Sequence, residues 1–170
     1  MTKEAIKLNK FTNLESKFLI FIFIVLFSVS GFNIALSLRR GRDATRKNDL
    51  ASMQKAIDLF KQKYKEFPIS TTDGKVIGCF NEEPKFDELT GKVSNALVCE
   101  WGESSFENIK VMVRDPSFQK GASYLYISDG KKYEIYIALE GKDEAEYTES
   151  IANKNLQCGK FICNYGRWSD

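Results

Sequence analysis

The feature that most constrains this chain is an uncharged apolar stretch near its N-terminus. Residues 18 to 38 read FLIFIFIVLFSVSGFNIALSL, 21 residues that include five of the 13 phenylalanines. At about 1.5 Å per residue, an α-helix of this length spans about 31 Å, the thickness of the hydrocarbon core of a bilayer. A secretory signal peptide has a shorter apolar region and then a small-residue cleavage site, whereas this stretch runs into Arg39 and Arg40. We therefore expect a retained membrane helix over residues 18 to 38.

The residues after this stretch have the pattern of an amphipathic helix. Apolar side chains recur at spacings of three and four, at Leu50, Met53, Ile57, Phe60 and Tyr64. Charged side chains are expected on the other faces, at Arg46, Lys47, Asp49, Lys55, Asp58, Lys61 and Lys65. Because Phe67-Pro68 disfavours helix, the pattern predicts one helix from about Phe11 to Glu66. The apolar stripe lasts only two heptads, which favours packing on the chain's own head, residues 67 to 170, over a coiled coil.

The head is long enough to form its own core, and its clearest element is a β-hairpin. Alternating β-forming residues at 124 to 127 and 133 to 139 flank an Asp-Gly turn at Asp129 and Gly130. We also predict a strand over Ile109 to Val113, ending at Asp115-Pro116, and a short helix from about Phe86 to Asn95. The predicted fold class is α+β, with the long N-terminal helix packed on a small antiparallel sheet.

Composition argues against catalysis and against nucleic-acid binding. The chain has no histidine, which removes imidazole bases and histidine-ligated zinc sites. No carboxylate pair suited to acid-base chemistry and no glycine-rich phosphate loop stands out. A net charge of +2 with mixed signs indicates no nucleic-acid partner. We expect a protein that is not an enzyme and that binds no cofactor or metal.

Charge is unevenly distributed along the chain. Residues 1 to 66 carry 13 positive and 6 negative side chains, and residues 67 to 170 carry 12 and 17. This suits contacts between the head of one copy and the helix of another, or alternatively lipid phosphates near Arg39 to Lys47 and an ordinary acidic surface elsewhere. A solvated surface is favoured over a calcium loop for the acidic cluster of Asp143, Glu144, Glu146 and Glu149.

Tyrosines recur along the predicted hairpin, at Tyr124, Tyr126 and Tyr136. Such a row can stack on bases or sugars. Since no basic residues alternate with these tyrosines, we favour a sheet face that lies on the helix.

Four cysteines lie in the head, as two pairs that are close in sequence. Local pairing joins Cys79 to Cys99 and Cys158 to Cys163, and an even number in a small domain indicates disulfides. Zinc is the alternative, although neither pair has C-x-x-C spacing; a redox dithiol is favoured less. Basic residues flank both sides of the membrane stretch and leave its orientation undecided. Disulfides would decide it, with the head outside the cytosol and the N-terminus inside.

The N-terminal part of the chain resembles type IV pilins and the pseudopilins of type II secretion. The resemblance covers about residues 8 to 68: Phe11-Thr12-Asn13-Leu14-Glu15, the apolar run, the charged segment from Arg42 to Leu50, and Phe67-Pro68. In the head it is limited to Asp115-Pro116 and the tyrosine-rich hairpin.

This resemblance implies how the chain is processed and assembled. Residues 1 to 10 correspond to a leader that a membrane-bound prepilin peptidase removes, so the candidate cut lies between Lys10 and Phe11. Thr12 and Glu15 occupy assembly positions, and Glu15 would pair with the freed N-terminal amine of an adjacent subunit. The implied partners are lipid, other pilin-like subunits, the peptidase and an inner-membrane assembly platform.

The sequence departs from the family at two lysines. Lys10 stands where the family has glycine before the cut, and Lys17 adds a charge beside the apolar run. Since Lys17 has a long side chain, it can reach the membrane interface. Lys10 predicts slow or absent processing. We therefore expect a subunit, and a minor one, of a pilus or pseudopilus filament in the cytoplasmic membrane or at the cell surface. The alternative is a membrane-tethered binding or adhesion domain that does not polymerise.

Overall fold

The structure, a computed structural model, describes residues 13 to 169. The chain forms two compact units, and the boundary between them falls after Leu38. Helix α1 spans Asn13–Tyr64, 52 residues. The predicted long helix is therefore confirmed within the described residues, while its expected start at Phe11 lies outside them. The helix ends two residues before the predicted Glu66, because Lys65 adopts a left-handed backbone conformation with φ of 68°.

Eight short strands and one short α-helix follow among the described residues. The strands are β1 (Ile69–Ser70), β2 (Val76–Cys79), β3 (Leu97–Val98), β4 (Leu125–Ser128), β5 (Tyr133–Ile137), β6 (Gln157–Cys158), β7 (Phe161–Ile162) and β8 (Tyr165–Trp168). The first sheet has the antiparallel order β1-β2-β3, and the second has the antiparallel order β4-β5-β8. Strands β6 and β7 form a separate two-stranded hairpin. A 3₁₀ turn covers Phe118–Lys120, and helix α2 covers Glu149–Ala152.

The core lies between α1 and the two larger sheets. All five residues of the predicted apolar stripe are buried: Leu50, Met53, Ile57, Phe60 and Tyr64. They share one cluster with Val76 of β2, Tyr126 of β4 and Ile135 of β5. The predicted α+β fold, with the helix packed on a small antiparallel sheet, is thus confirmed.

The predicted hairpin is present as β4 and β5. Leu125 pairs with Tyr136 and Ser128 with Tyr133. Strand β4 is shifted by one residue from the predicted range at the same length, and β5 is two residues shorter than predicted. Asp129 closes the turn, because its Oδ1 accepts hydrogen bonds from the backbone N–H groups of Lys131 and Lys132. Gly130, with φ of 86°, takes the left-handed position that glycine adopts without strain.

The tyrosine row is divided between the two faces of this sheet. Tyr126 lies in the core with α1, whereas Tyr136 lies in a second cluster with Ile151 and the Cys158–Cys163 disulfide. All three predicted tyrosines are buried, so none presents a ring for stacking on a ligand. The expectation of one shared face on the helix is wrong for Tyr136, because the sheet is covered on both sides.

Two predicted elements of the head are wrong. Ile109 to Val113 forms no strand; Ile109 makes only an isolated bridge with Phe106, and Met112 bonds the backbone of Gly102 and Ser104. These apolar residues belong to a loop whose Met112 is buried in the core.

Residues 86 to 95 form a loop closed by the bridge Phe86–Val93, not a helix. Asp87 caps its turn by accepting hydrogen bonds from the backbone N–H groups of Leu89 and Thr90. Gly91, with φ of 67°, completes the turn, and this local hydrogen bonding competes with helix formation.

Candidate functional site

The N-terminal part of α1 presents an apolar surface. Its most apolar window has a mean hydropathy of 2.5, and none of that window is buried. Phe27 and Phe32 are 75% and 72% exposed, values far from those of a core helix in a soluble domain. By length and composition this is one helix that can cross a membrane, which agrees with the expectation for residues 18 to 38.

Glu15 is the sequence-predicted assembly residue that the structure describes. It lies in the first turn of α1, where a carboxylate interacts favourably with the helix dipole, and it is exposed. The candidate cleavage residues Lys10 and Phe11, together with Thr12, lie outside the described residues.

A buried ionic cluster lies further along α1, around Arg46. Its guanidinium donates hydrogen bonds from Nε and Nη2 to both carboxylate oxygens of Asp115, at 2.8 and 2.9 Å. Its Nη1 donates to Asp43 at 2.7 Å and to Glu140 at 3.0 Å. The sequence pattern places Arg46 off the apolar stripe but does not predict its burial. The structure buries it with Asp43 and Asp115, while Glu140 contacts it from a more exposed position.

The acidic members of this cluster are also bonded to the backbone of the head. Asp43 accepts hydrogen bonds from the N–H groups of Glu140 and Gly141, each at 2.9 Å. Asp115 accepts from the N–H group of Ser117 at 2.7 Å, which shapes the turn around Pro116. The cluster thus fixes residues 43 to 46 of α1 to two separate loops of the head.

The charge state of the cluster follows from its hydrogen bonds. Burial lowers the pKa of Arg46, but its bonds with Asp115 and Asp43 outweigh burial and raise the pKa above its ordinary value. A hydrogen bond from Arg42, with a further bond from Arg46, lowers the pKa of Glu140 to about 2. Both groups are therefore ionised at neutral pH.

A more exposed row of ion pairs continues from this cluster. Arg39 pairs with Asp143, Arg42 with Glu140, and Lys47 with both Glu144 and Glu146. The acidic cluster was predicted to be a solvated surface, and the Asp143 side chain is indeed 52% exposed. The prediction did not include the ion pairs that Asp143, Glu144 and Glu146 form with basic residues of α1. Glu149, the fourth member, begins α2.

Two disulfides tie the head together. Cys79 of β2 is bonded to Cys99, and Cys158 of β6 to Cys163, as the local pairing predicts. All four sulfurs are used, so no thiol is available for zinc or for redox exchange. Within residues 13 to 169, no group of three or more potential metal ligands is positioned to hold an ion.

The sequence pattern did not indicate a second, partly buried contact, which lies between Tyr124 and Asp49. The Tyr124 hydroxyl donates a hydrogen bond to Asp49 Oδ2. Burial raises the pKa of Tyr124, and the hydrogen bond to Asp49 raises it further. Burial also raises the pKa of Asp49. The only sequence signal was the position of Asp49, one residue before the apolar stripe begins at Leu50.

Comparison with known proteins adds no relative to this description. The chain matches no protein-family profile, no curated protein and no solved structure. The resemblance to pilins and pseudopilins therefore rests on the residues of this sequence alone.

Proposed function

We propose that this chain is a minor structural subunit of a type IV pilus-like or type II secretion pseudopilus-like filament. It is anchored in the cytoplasmic membrane by residues 18 to 38, with its N-terminus inside and its head outside. Its role is structural and not catalytic. The observation that carries this proposal is α1 itself, because one continuous helix has an exposed apolar part and a part whose apolar stripe is buried in the head.

The exposed part of α1 requires a second apolar environment. Soluble monomers rarely expose contiguous apolar patches larger than a few hundred Å². In the membrane, lipid covers this surface; in a filament, the same surface of neighbouring subunits replaces the lipid by close helix packing. A subunit can therefore leave the bilayer without exposing its apolar residues to water.

The ionic cluster supports a structural role in the head. A subunit that is extracted from a bilayer by its helix experiences force between the helix and the head. Arg46, Asp43 and Asp115 join these parts through buried, charge-assisted hydrogen bonds, which are among the stronger non-covalent contacts in proteins. Their position at the start of the buried part of α1 suits them to resist separation there.

The disulfides support the proposed orientation. Such bonds persist in oxidising compartments and are rare in the cytosol. A head with both Cys79–Cys99 and Cys158–Cys163 intact therefore belongs outside the cytoplasmic membrane. The N-terminal segment with Lys10 then lies on the cytoplasmic side, where the implied peptidase and assembly platform would meet it.

One observation favours the second candidate function, a tethered binding domain that does not polymerise. The head contains a partly enclosed cavity of about 600 Å³. A binding domain would use this cavity and would need α1 only as an anchor. Contact between α1 helices of neighbouring copies separates the two candidates.

Site-specific photo-crosslinking in cells tests that contact. A benzophenone amino acid replaces Phe27 in the exposed apolar part of α1, and Phe60, which is 3% exposed in the core, serves as the matched control. A filament subunit gives oligomer ladders or adducts with other pilin-like subunits from position 27 and none from position 60. Glu15→Ala should weaken the position-27 adducts while leaving membrane insertion intact. Monomer alone from position 27 contradicts the filament and favours the tether.

A further inference from the structure

The head contains a cavity that the proposed filament role does not use. It lies among the loop that follows β5, the 3₁₀ turn, the end of α2 and the β6–β7 hairpin, and its volume is about 600 Å³. Sites that bind small molecules occupy roughly 300 to 1,000 Å³. The cavity is therefore of a size that holds one small organic molecule.

Much of the cavity wall is apolar. Ala138 and Leu139, which follow β5, are buried and contribute part of the lining. Phe161 and Ile162 of β7 also line it, although both are exposed to solvent. The Cys158–Cys163 disulfide closes the hairpin that carries them, so these two side chains are presented by a constrained loop. An apolar ligand surface would gain contact with them.

Two acceptor side chains at the cavity, Glu140 and Asn164, are already bonded. Glu140 accepts hydrogen bonds from Arg42, Arg46 and the Ser117 hydroxyl. The Asn164 amide bonds the backbone N–H and the backbone carbonyl of Leu139. A cationic ligand would therefore have to compete with arginines for the carboxylate at this site.

Two lysine side chains at the cavity, in contrast, have no bonding partner among the residues that the structure describes. Lys120 and Lys142 both line it, and the ammonium group of neither forms a hydrogen bond or an ion pair with any residue from 13 to 169. Arg46, which also lines the cavity, and the nearby Arg42 are already bonded to acidic groups. Two unpaired ammonium groups beside apolar walls complement a ligand with one anionic end and an apolar body.

We propose that this cavity binds a small carboxylic acid with an apolar body. The carboxylate lies between the ammonium groups of Lys120 and Lys142, and the apolar body contacts Leu139 and Phe161. The site belongs to the folded head, so it does not depend on whether α1 assembles into a filament.

The test uses the oxidised full chain in nanodiscs of zwitterionic lipid and three probes of one shape. These are 2-naphthoate, which is anionic, 2-naphthamide, which is neutral, and 2-naphthylmethylammonium, which is cationic. Saturation-transfer NMR titrations, corrected with empty nanodiscs, report each affinity. We expect saturable binding of the naphthoate, about tenfold weaker binding of the amide and no saturable binding of the cation.

Variants test whether the probes bind in this cavity and whether Lys120 and Lys142 bind the carboxylate. The double variant Lys120→Gln/Lys142→Gln should weaken the naphthoate about tenfold and leave the amide unchanged. Lys131→Gln is the matched control, since Lys131 is an exposed lysine in the β4–β5 turn and does not line the cavity. Ala152→Trp, which places a large ring at the cavity lining, should weaken both probes. Equal affinity for all three probes, no saturable naphthoate binding, or unchanged affinity in the double variant overturns the proposal.

Discussion

Arg46 donates two hydrogen bonds to the carboxylate of Asp115, which lies 69 residues further along the chain. The two side chains are 2% and 0% exposed. A guanidinium matches a carboxylate in this two-point geometry, and a lysine cannot reproduce it. The pair therefore joins α1 to a loop of the head at a fixed position and orientation.

Replacing Arg46 should be strongly destabilising. In Arg46→Met, Asp43 and Asp115 remain buried without their cation, and loss of one partner of a buried ion pair costs about 3–5 kcal/mol. Denaturant unfolding of the full chain in detergent micelles, followed by the fluorescence of the tryptophans, measures this loss.

Arg40→Met is the matched control for this measurement. Arg40 is 60% exposed on its side chain, and its Nη2 lies 3.8 Å from Asp143. Exposed pairs of this kind contribute about 0–1 kcal/mol. If Arg46→Met and Arg40→Met lower the free energy of unfolding by the same amount, burial of the Arg46–Asp115 pair does not determine its contribution to stability.

Glu140 should make stability depend on pH in the acid range. Its pKa is lowered from 4.5 to about 2 in the fold, so its ionised form is stabilised by Arg42 and Arg46. That contribution is fully present above pH 4.5 and is lost as the pH falls toward 2. The difference in thermal midpoint between the wild type and Glu140→Gln should therefore shrink between pH 5 and pH 2.5.

Glu88→Gln controls for the general effect of acid. Glu88 is exposed and has no ion pair among the residues that the structure describes. The difference in thermal midpoint between the wild type and Glu88→Gln should stay near zero at every pH. If the difference in thermal midpoint between the wild type and Glu140→Gln is the same at pH 5 and pH 2.5, the role assigned to Glu140 is contradicted.

The two disulfides should differ in their contribution to stability. Cys79 and Cys99 are 20 residues apart, and Cys158 and Cys163 are 5 apart. Loop-closure entropy gives about 3 kcal/mol for the longer loop and about 2 kcal/mol for the shorter one. Denaturant unfolding of the variants Cys79→Ala/Cys99→Ala and Cys158→Ala/Cys163→Ala compares them. Peptide mapping without reductant checks the pairing, and four free thiols or crosswise bonds would refute it.

Lys10 should slow the removal of the leader. Glycine before the cut has no Cβ, so it lets the backbone of the substrate come close to the peptidase. The long charged side chain of Lys10 would obstruct this close approach. In cells that contain the peptidase, Lys10→Gly should yield a shorter chain on a blot while the wild type stays at full length. Mass spectrometry of the natural N-terminus identifies the cut. If both chains have the same shortened length, Lys10 is no obstacle.

Local patterns in the sequence were sufficient for much of the fold. The spacing of Leu50, Met53 and Ile57 predicted the buried stripe of α1, and Asp129-Gly130 predicted the β4–β5 turn. Cysteine spacing predicted both disulfides. Each prediction succeeded because the relevant forces act within a few turns of helix, a two-strand turn or a short loop.

Two predictions from local patterns failed because core packing in one segment and local hydrogen bonds in the other outweighed intrinsic preference. The β-forming residues 109 to 113 line a loop that buries Met112 in the core, and residues 86 to 95 turn around Asp87 and Gly91. In both segments the backbone bonds to a nearby loop or side chain instead of to a strand or helix. Intrinsic preference is a weak guide where the surrounding packing sets the conformation.

The sequence by itself determined that the chain has a long helix with an apolar segment able to cross a membrane, because length, hydropathy and period are local properties. Only the tertiary structure decided which charges are buried. The helical pattern placed Arg46 off the apolar stripe and gave no sign of its burial, yet Asp115 and Glu140, 69 and 94 residues away, bond to it. The cavity beside Lys120 and Lys142 likewise depends on segments that are distant in sequence. A charge is buried only where the fold brings oppositely charged or hydrogen-bonding groups to it. Those groups come from distant parts of the sequence, so a local pattern does not predict their contact.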